Sequence, residues 1–198
     1  MQLDGGVACL DFINSGYDTE KEVIVERLHT YTDLLLLAER LSLVSHSMSK
    51  ELAKRSENNK IKAKQVLITA RKAREVMFEI FSQIAAGEPE NINKKNLEAF
   101  NAFLLSARNS EQFEIVNGKL ELLQSTTSAN LMQPLWAFFN SAFHLLRDGD
   151  QHLIKQCSAC AWLFLDQTKN HRRKWCDMQT CGSIEKSKRY YRRSKGIE

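Results

Sequence analysis

At 198 residues, 43% hydrophobic and 26% charged, the chain has the length for one ordinary domain with a small appendage and the make-up of a water-soluble globular protein. Its longest apolar run, LLLLA at Leu34–Ala38, is too short for a bilayer, and the opening MQLDGG lacks the basic and apolar regions of a secretory signal, so a cytoplasmic protein with reduced thiols and no membrane partner is expected. The formal net charge of +4 is unevenly spread: residues 155–198 hold eleven Lys/Arg against four Asp/Glu, and residues 1–154 hold 17 against 20, which suggests a polyanion-binding end on a mildly acidic body.

Taken in chain order, LDFINS near the start reads as a short, ambiguous segment that could supply extended structure. Asp11 and Asn14 lie within it among apolar neighbours and are candidates for a polar pocket. The competing and stronger reading is a carboxylate held by a buried partner and an asparagine closing a turn. Cys9, in the same run, reads as a small buried hydrophobe. Val66, Leu67, Ala70, Ala73, Val76, Met77, Ile80, Phe81, Ile84 and Ala85 recur at three- and four-residue spacing, a long amphipathic helix that Gly87 and Pro89 end. Arg74 lies beside its apolar stripe, and a salt bridge from Asp11 to Arg74, or failing that to Arg71, is the expected partnership.

A second helix follows NINKKN, marked by Leu97, Phe100, Phe103 and Leu104. FEIVNGKLELL then reads as a hairpin turning on Asn117-Gly118, with Ile115 opposite Leu120 and Phe113 opposite Leu122, one face apolar and the other charged. A late helix spans about residues 131–147, with Pro134 in its first turn and Trp136 and His144 more in keeping with a core than with a ligand site. Residues 1–150 are therefore expected to form one mainly helical α+β domain.

Residues 151–198 are of a different kind. CSACAWLFLDQTKNHRRKWCDMQTCG holds four of the five cysteines. Cys157 and Cys160 form a Cys-x-x-Cys knuckle, and Cys176 and Cys181 follow after a spacer long enough for a hairpin between AWLFLD and RRKWC. Two such corners brought together make the tetrahedral thiolate shell that zinc accepts, with Trp162, Phe164 and Trp175 as a miniature core beside it. A closed four-sulfur shell has no open position, so the metal is read as structural. A redox Cys-x-x-Cys leaves the second pair unexplained, two disulfides do not suit the cytoplasm, and the spacings of iron–sulfur proteins match less well. His171, in the proposed turn, is surplus to the four thiolates.

SIEKSKRYYRRSK after the last cysteine reads as a helix with Lys186, Arg189 and Arg193 on one face and Lys188 and Arg192 on the next. Arg172, Arg173 and Lys174 extend the positive surface. Such a helix suits phosphate neutralisation, with Tyr190 and Tyr191 available to sugars or bases. No catalytic triad spacing, glycine-rich phosphate loop or His-Glu-x-x-His is present, so an enzyme is not expected.

The segment also resembles the CGNR zinc finger of bacterial regulators in its Cys-x-x-Cys, WLFLD, basic turn, WC, M and CG, a treble-clef-like finger. Upstream, LDFINS, TYTDLLLLAERLSLVS and ARKAREVMFEIF resemble the ABATE domain that precedes this finger. The resemblance implies a stress-responsive transcription regulator with a helical sensor-like domain for a small-molecule or protein effector and a finger binding double-stranded DNA. It carries Cys157, Cys160, Cys176 and Cys181 over as zinc ligands. Where the pattern reads Cys-Gly-Asn-Arg, this chain has Cys181-Gly182-Ser183-Ile184: Ser183 can cap a helix as Asn would, whereas Ile184 cannot make an arginine's contacts. The alternatives to DNA are an RNA- or ribosome-associated protein, since a basic finger with tyrosines also serves single strands, and a protein-interaction module.

Overall fold

The computed structural model describes residues 2–16, 25–124 and 130–196. Among these, α1 (Ala8–Asn14), α2 (Tyr31–Arg40), α3 (His46–Asn58), α4 (Lys60–Ala86), α5 (Lys94–Arg108), β1 (Glu111–Val116), β2 (Lys119–Gln124), α6 (Gln133–Asp148), β3 (Ile154–Gln156), β4 (Leu163–Leu165) and α7 (Ser183–Ser194) follow in order. The fold class is the expected one, mostly helical with two small antiparallel hairpins and the cysteine cluster at the C-terminal end. No helix among the described residues is long and apolar enough to cross a membrane.

The helices begin and end where local chemistry dictates. Thr30 and Asp33 form a reciprocal capping box at α2, Ser45 accepts from Met48 N at α3, and Asn59 accepts from Lys62 N at α4. Gly87 takes the left-handed conformation that closes α4, at φ 79°. The apolar stripe of α4 packs against α1, α2, α3 and α5 and, further along, against the strand pair β3–β4.

LDFINS is a helix, not extended structure. Every residue of α1 from Cys9 to Asn14 is buried, because α4, α6 and β4 surround it. A helix enclosed on all sides has no polar stripe, so its sequence shows no period of 3.6. Phe12 stacks on Phe138 of α6 with ring centroids 4.4 Å apart, and Cys9 is fully buried, which pushes its thiol up to about 12.

The first hairpin has the expected register, Ile115 opposite Leu120 and Phe113 opposite Leu122, with Asn117 at φ 50° and Gly118 at φ 75° in its turn. Its apolar face is nevertheless open to solvent. The second hairpin departs from expectation. β4 pairs with β3, which precedes the first cysteine, and not with RRKWC, which is irregular. The β3–β4 pair serves two cores at once. Ile154 and Leu163 belong to the main helical core, whereas Phe164 faces the opposite way and packs with Trp162 and the cysteines. Alternation along a strand thus joins the finger to the body.

Candidate metal centre and basic helix

The Cys157–Cys160 knuckle is closed by backbone bonds, Ala161 N to Cys157 O at 3.0 Å and Cys157 N to Trp162 O at 2.8 Å, with Ala161 in the left-handed region at φ 56°. Ser158 N donates to Lys174 O at 3.1 Å, which brings the segment carrying Cys176 alongside the knuckle. Asp177 then caps a wide turn, Met178–Gly182, by accepting from Thr180 N and Oγ1, and this turn presents Cys181.

The four sulfurs all lie within 4.8 Å of one another, with Cys160–Cys176 at 3.6 Å and Cys176–Cys181 at 3.7 Å. Sulfurs bound tetrahedrally to zinc at about 2.3 Å stand about 3.8 Å apart, so the cluster has the dimensions of a zinc shell. Its electrostatics point the same way. Without a cation the thiols cannot all ionise: hydrogen bonds from Cys160 and Cys176 hold Cys157 low, the two donors are pushed up, and burial pushes Cys181 up. A divalent ion at the centre removes that conflict. Trp162 and Phe164 are buried beside the sulfurs and Trp175 is half-buried, as the miniature core requires. His171 lies outside the cluster, its Nδ1 3.1 Å from the Asp166 carbonyl oxygen.

Asp166, the last residue of WLFLD, is a structural residue that the sequence reading passed over. It is fully buried, and its carboxylate accepts from Thr168 N and Oγ1 and from Arg173 N. Burial acts to raise its pKa, but these bonds outweigh burial and hold it below the ordinary carboxylate value. Asp166 thereby shapes the loop that carries the basic turn. Its short distance to Thr168, two residues on in the sequence, is the Asx-turn pattern that could have revealed it.

The basic residues divide into two groups. Arg173 turns inward, with Nε donating to Trp175 O at 2.7 Å and the guanidinium 4.9 Å from the Phe164 ring centroid. It is half-buried, with its guanidinium folded back over the finger. Arg172 and Lys174 are exposed on either side. In α7, Lys186, Lys188, Arg189, Arg192 and Arg193 are all exposed, and the helix has no buried residue. Lys188 also pairs with Glu185 at 3.0 Å. Ile184 and Tyr191 lie along one flank and Tyr190 along the other. Ile184 lines a cleft of about 260 Å³ shared with Asp4, Arg27 and Trp162.

Asp11, Asn14 and Arg74 are all buried, but each is committed to a separate contact. The expected Asp11–Arg74 pair does not form. Arg74 binds Glu26 through both terminal nitrogens and Ser15 through Nη1, whereas Asp11 accepts from Gly5 N at 2.9 Å. Arg71 is also engaged elsewhere, on the Leu28 carbonyl and Glu26. Glu26 satisfies both cations from a half-buried position, which leaves Asp11 to the backbone. Burial works to raise the pKa of Glu26, but hydrogen bonds from Arg74 and Leu28 N bring it below its ordinary value. Asn14 reaches the finger itself: Nδ2 donates to Leu163 O at 2.8 Å and Leu163 N donates to Oδ1 at 2.9 Å.

No curated protein matches the sequence. Two family models do. The CGNR zinc finger matches residues 154–194, the segment running from β3 to the end of α7. The other, ABATE, described as "Putative stress-induced transcription regulator", matches residues 6–149. With most of its length so matched, the chain belongs to the ABATE family, its helical body followed by a CGNR zinc finger.

Proposed function

We infer that the protein is a DNA-binding transcription regulator of the cytoplasm, without catalytic activity of its own. The observation that carries this reading is α7. A helix with five basic residues, one acidic residue and nothing buried has no role in the core, and it leaves directly from the four-cysteine cluster. Arg189, Arg192 and Arg193 lie within two turns, so one phosphate backbone can meet at least two of them. Lys186 and the residues around Ser183 are nearest the root of the helix, and any base readout is assigned to them, with Arg172 and Lys174 flanking. The helical body is assigned the effector. A cleft of about 530 Å³ between α2, α3 and α4 offers Lys60, Lys64 and His29 over an aliphatic floor at Leu67 and Ile68.

The test is a salt titration of zinc-loaded protein on duplex DNA. Replacing Arg189, Arg192 and Arg193 with Ala is expected to weaken binding to every duplex and to lower the salt slope by roughly one unit per lost phosphate contact, with zinc content unchanged. A wild type without measurable affinity for duplex at low salt would sink the reading. Tyr190 is 77% exposed and Tyr191 59% exposed, which favours base stacking in the alternative, an RNA-associated protein. Tighter binding to single strands than to duplex, lost in a Tyr190→Ala, Tyr191→Ala variant, would select that alternative.

A further inference from the structure

The β1–β2 hairpin leaves unburied what a folded protein normally buries. Phe113 is 69% exposed, Ile115 77%, Leu120 71% and Leu122 42%, and all four lie on one face in two directly opposed pairs. The hairpin is fastened at its root, where Glu111 pairs with Arg108 and accepts from Asn140 Nδ2, but among the described residues neither strand packs extensively along a helix. A two-stranded sheet with both edges free and an uncovered apolar face is marginal by itself in water.

The charges on the hairpin narrow what can cover it. Residues 111–122 carry Glu111, Glu114 and Glu121 against Lys119 alone. Nucleic acid and anionic lipid surfaces both call for the opposite balance. The covering surface is therefore protein. The apolar face consists of two cross-strand pairs side by side, and the one charge on the same side of the strands, Glu111 at the root, is already paired with Arg108. It can meet its own two-fold image without burying an unpaired ion.

The area agrees. Four side chains at those exposures present roughly 500 Å² of apolar surface, at the upper end for a monomer's largest patch. Leu105, 62% exposed, and a groove of about 450 Å³ between Leu105, Ser106 and Trp136 adjoin the hairpin's root. Paired with its own image, the four-residue patch covers roughly 1,000 Å² in total, about the lower limit for a specific interface.

We propose that this hairpin face is the dimer interface, covered by the same face of a second copy of the chain. A two-fold dimer would also set two α7 helices in a fixed relation to each other.

Sedimentation velocity and light scattering on the full-length, zinc-loaded protein at micromolar concentration decide the matter. The wild type is expected to sediment as a dimer. Ile115→Ser with Leu120→Ser, and separately Phe113→Ser with Leu122→Ser, are expected to give monomers with unchanged helical signal and zinc content. These positions are exposed in the single chain, so their replacement removes nothing from its core. A monomeric wild type overturns the proposal, whether or not the hairpin then captures another protein. So does a dimer that survives both double variants.

Discussion

The side-chain amide of Asn14 satisfies both backbone groups of Leu163, donating from Nδ2 to its oxygen at 2.8 Å and accepting from its nitrogen at 2.9 Å. The two residues are 149 positions apart, and both are buried. The contact makes α1 of the body and β4 of the finger parts of one hydrogen-bonded surface. Leu165 N donating to Gly5 O at 2.9 Å continues it. Gly5 is required there, since a Cβ on it would stand 2.7 Å from Asp11 N.

Asn14→Ala should therefore be costly. It strands two buried backbone groups at once, and the expected loss is about 2–4 kcal/mol of stability. Because β3–β4 is the seat of the metal cluster, zinc should also pass more quickly to a competing chelator. Asn14→Asp keeps the acceptor but sets a carboxylate oxygen against the Leu163 carbonyl, so it should be destabilised as well. Denaturant unfolding of zinc-loaded protein measures the first effect and a colorimetric chelator the second. An Asn14→Ala protein within about 0.5 kcal/mol of wild type would show that the clamp contributes nothing.

What could be read in the sequence depended on how local its cause was. The period of α4 and the Asn117-Gly118 turn are set by residues close in the chain, and both are found where expected. The cysteine knuckles announce themselves by spacing alone. Interactions chosen by the tertiary fold were not legible. Asp11 and Arg74 each needed a partner, but Glu26 took Arg74 from a loop 48 residues earlier. The strand pairing of the finger is hidden in the sequence because β3, only three residues long, is too short to show alternation. Arg173 looked like its neighbours Arg172 and Lys174, and only the buried carboxylate of Asp166 explains why its backbone is turned toward the core.

Asp11 supplies a pH-dependent effect of known sign. Burial, reinforced by Asp4 and opposed by the Gly5 hydrogen bond and Arg40, lifts its pKa from 3.8 to about 6. A carboxyl whose folded pKa is raised lowers stability as pH climbs, because the unfolded chain ionises first. The cost is absent below about pH 4, grows between about pH 4 and 6, and is constant above, at about 2–3 kcal/mol. Asp11→Asn retains an oxygen for Gly5 N, so it should stabilise the protein by about 1–2 kcal/mol at pH 8 and give no gain near pH 4. Thermal or denaturant melts at the two pH values test this. An equal gain at both would mean that the carboxyl's charge is not the cause.

Metal removal should reach beyond the finger. Phe164 and the cysteines form a core too small to hold together unaided, and a structural zinc of this kind contributes on the order of 10 kcal/mol. Loss of the ion frees the knuckle, and with it the end of β4 that Cys157 N fastens through the Trp162 carbonyl. Leu163 and Ile154 then lose their anchor although both sit in the main core. The helical signal should survive, since α2 through α6 pack without the finger's sulfurs. The thermal midpoint of that signal should nevertheless fall, and amides of β3, β4 and α1 should exchange faster. Cys176→Ser is the covalent counterpart, replacing a buried thiolate by a poor zinc ligand, and should reproduce the chelated state with less than one zinc per chain. Metal analysis, circular dichroism melts and hydrogen exchange on the chelated wild type and the variant make the comparison. If the midpoint and the protection of α1 are unchanged while the zinc is gone, the body and the finger are independent, and the joint through β4 carries no energy between them.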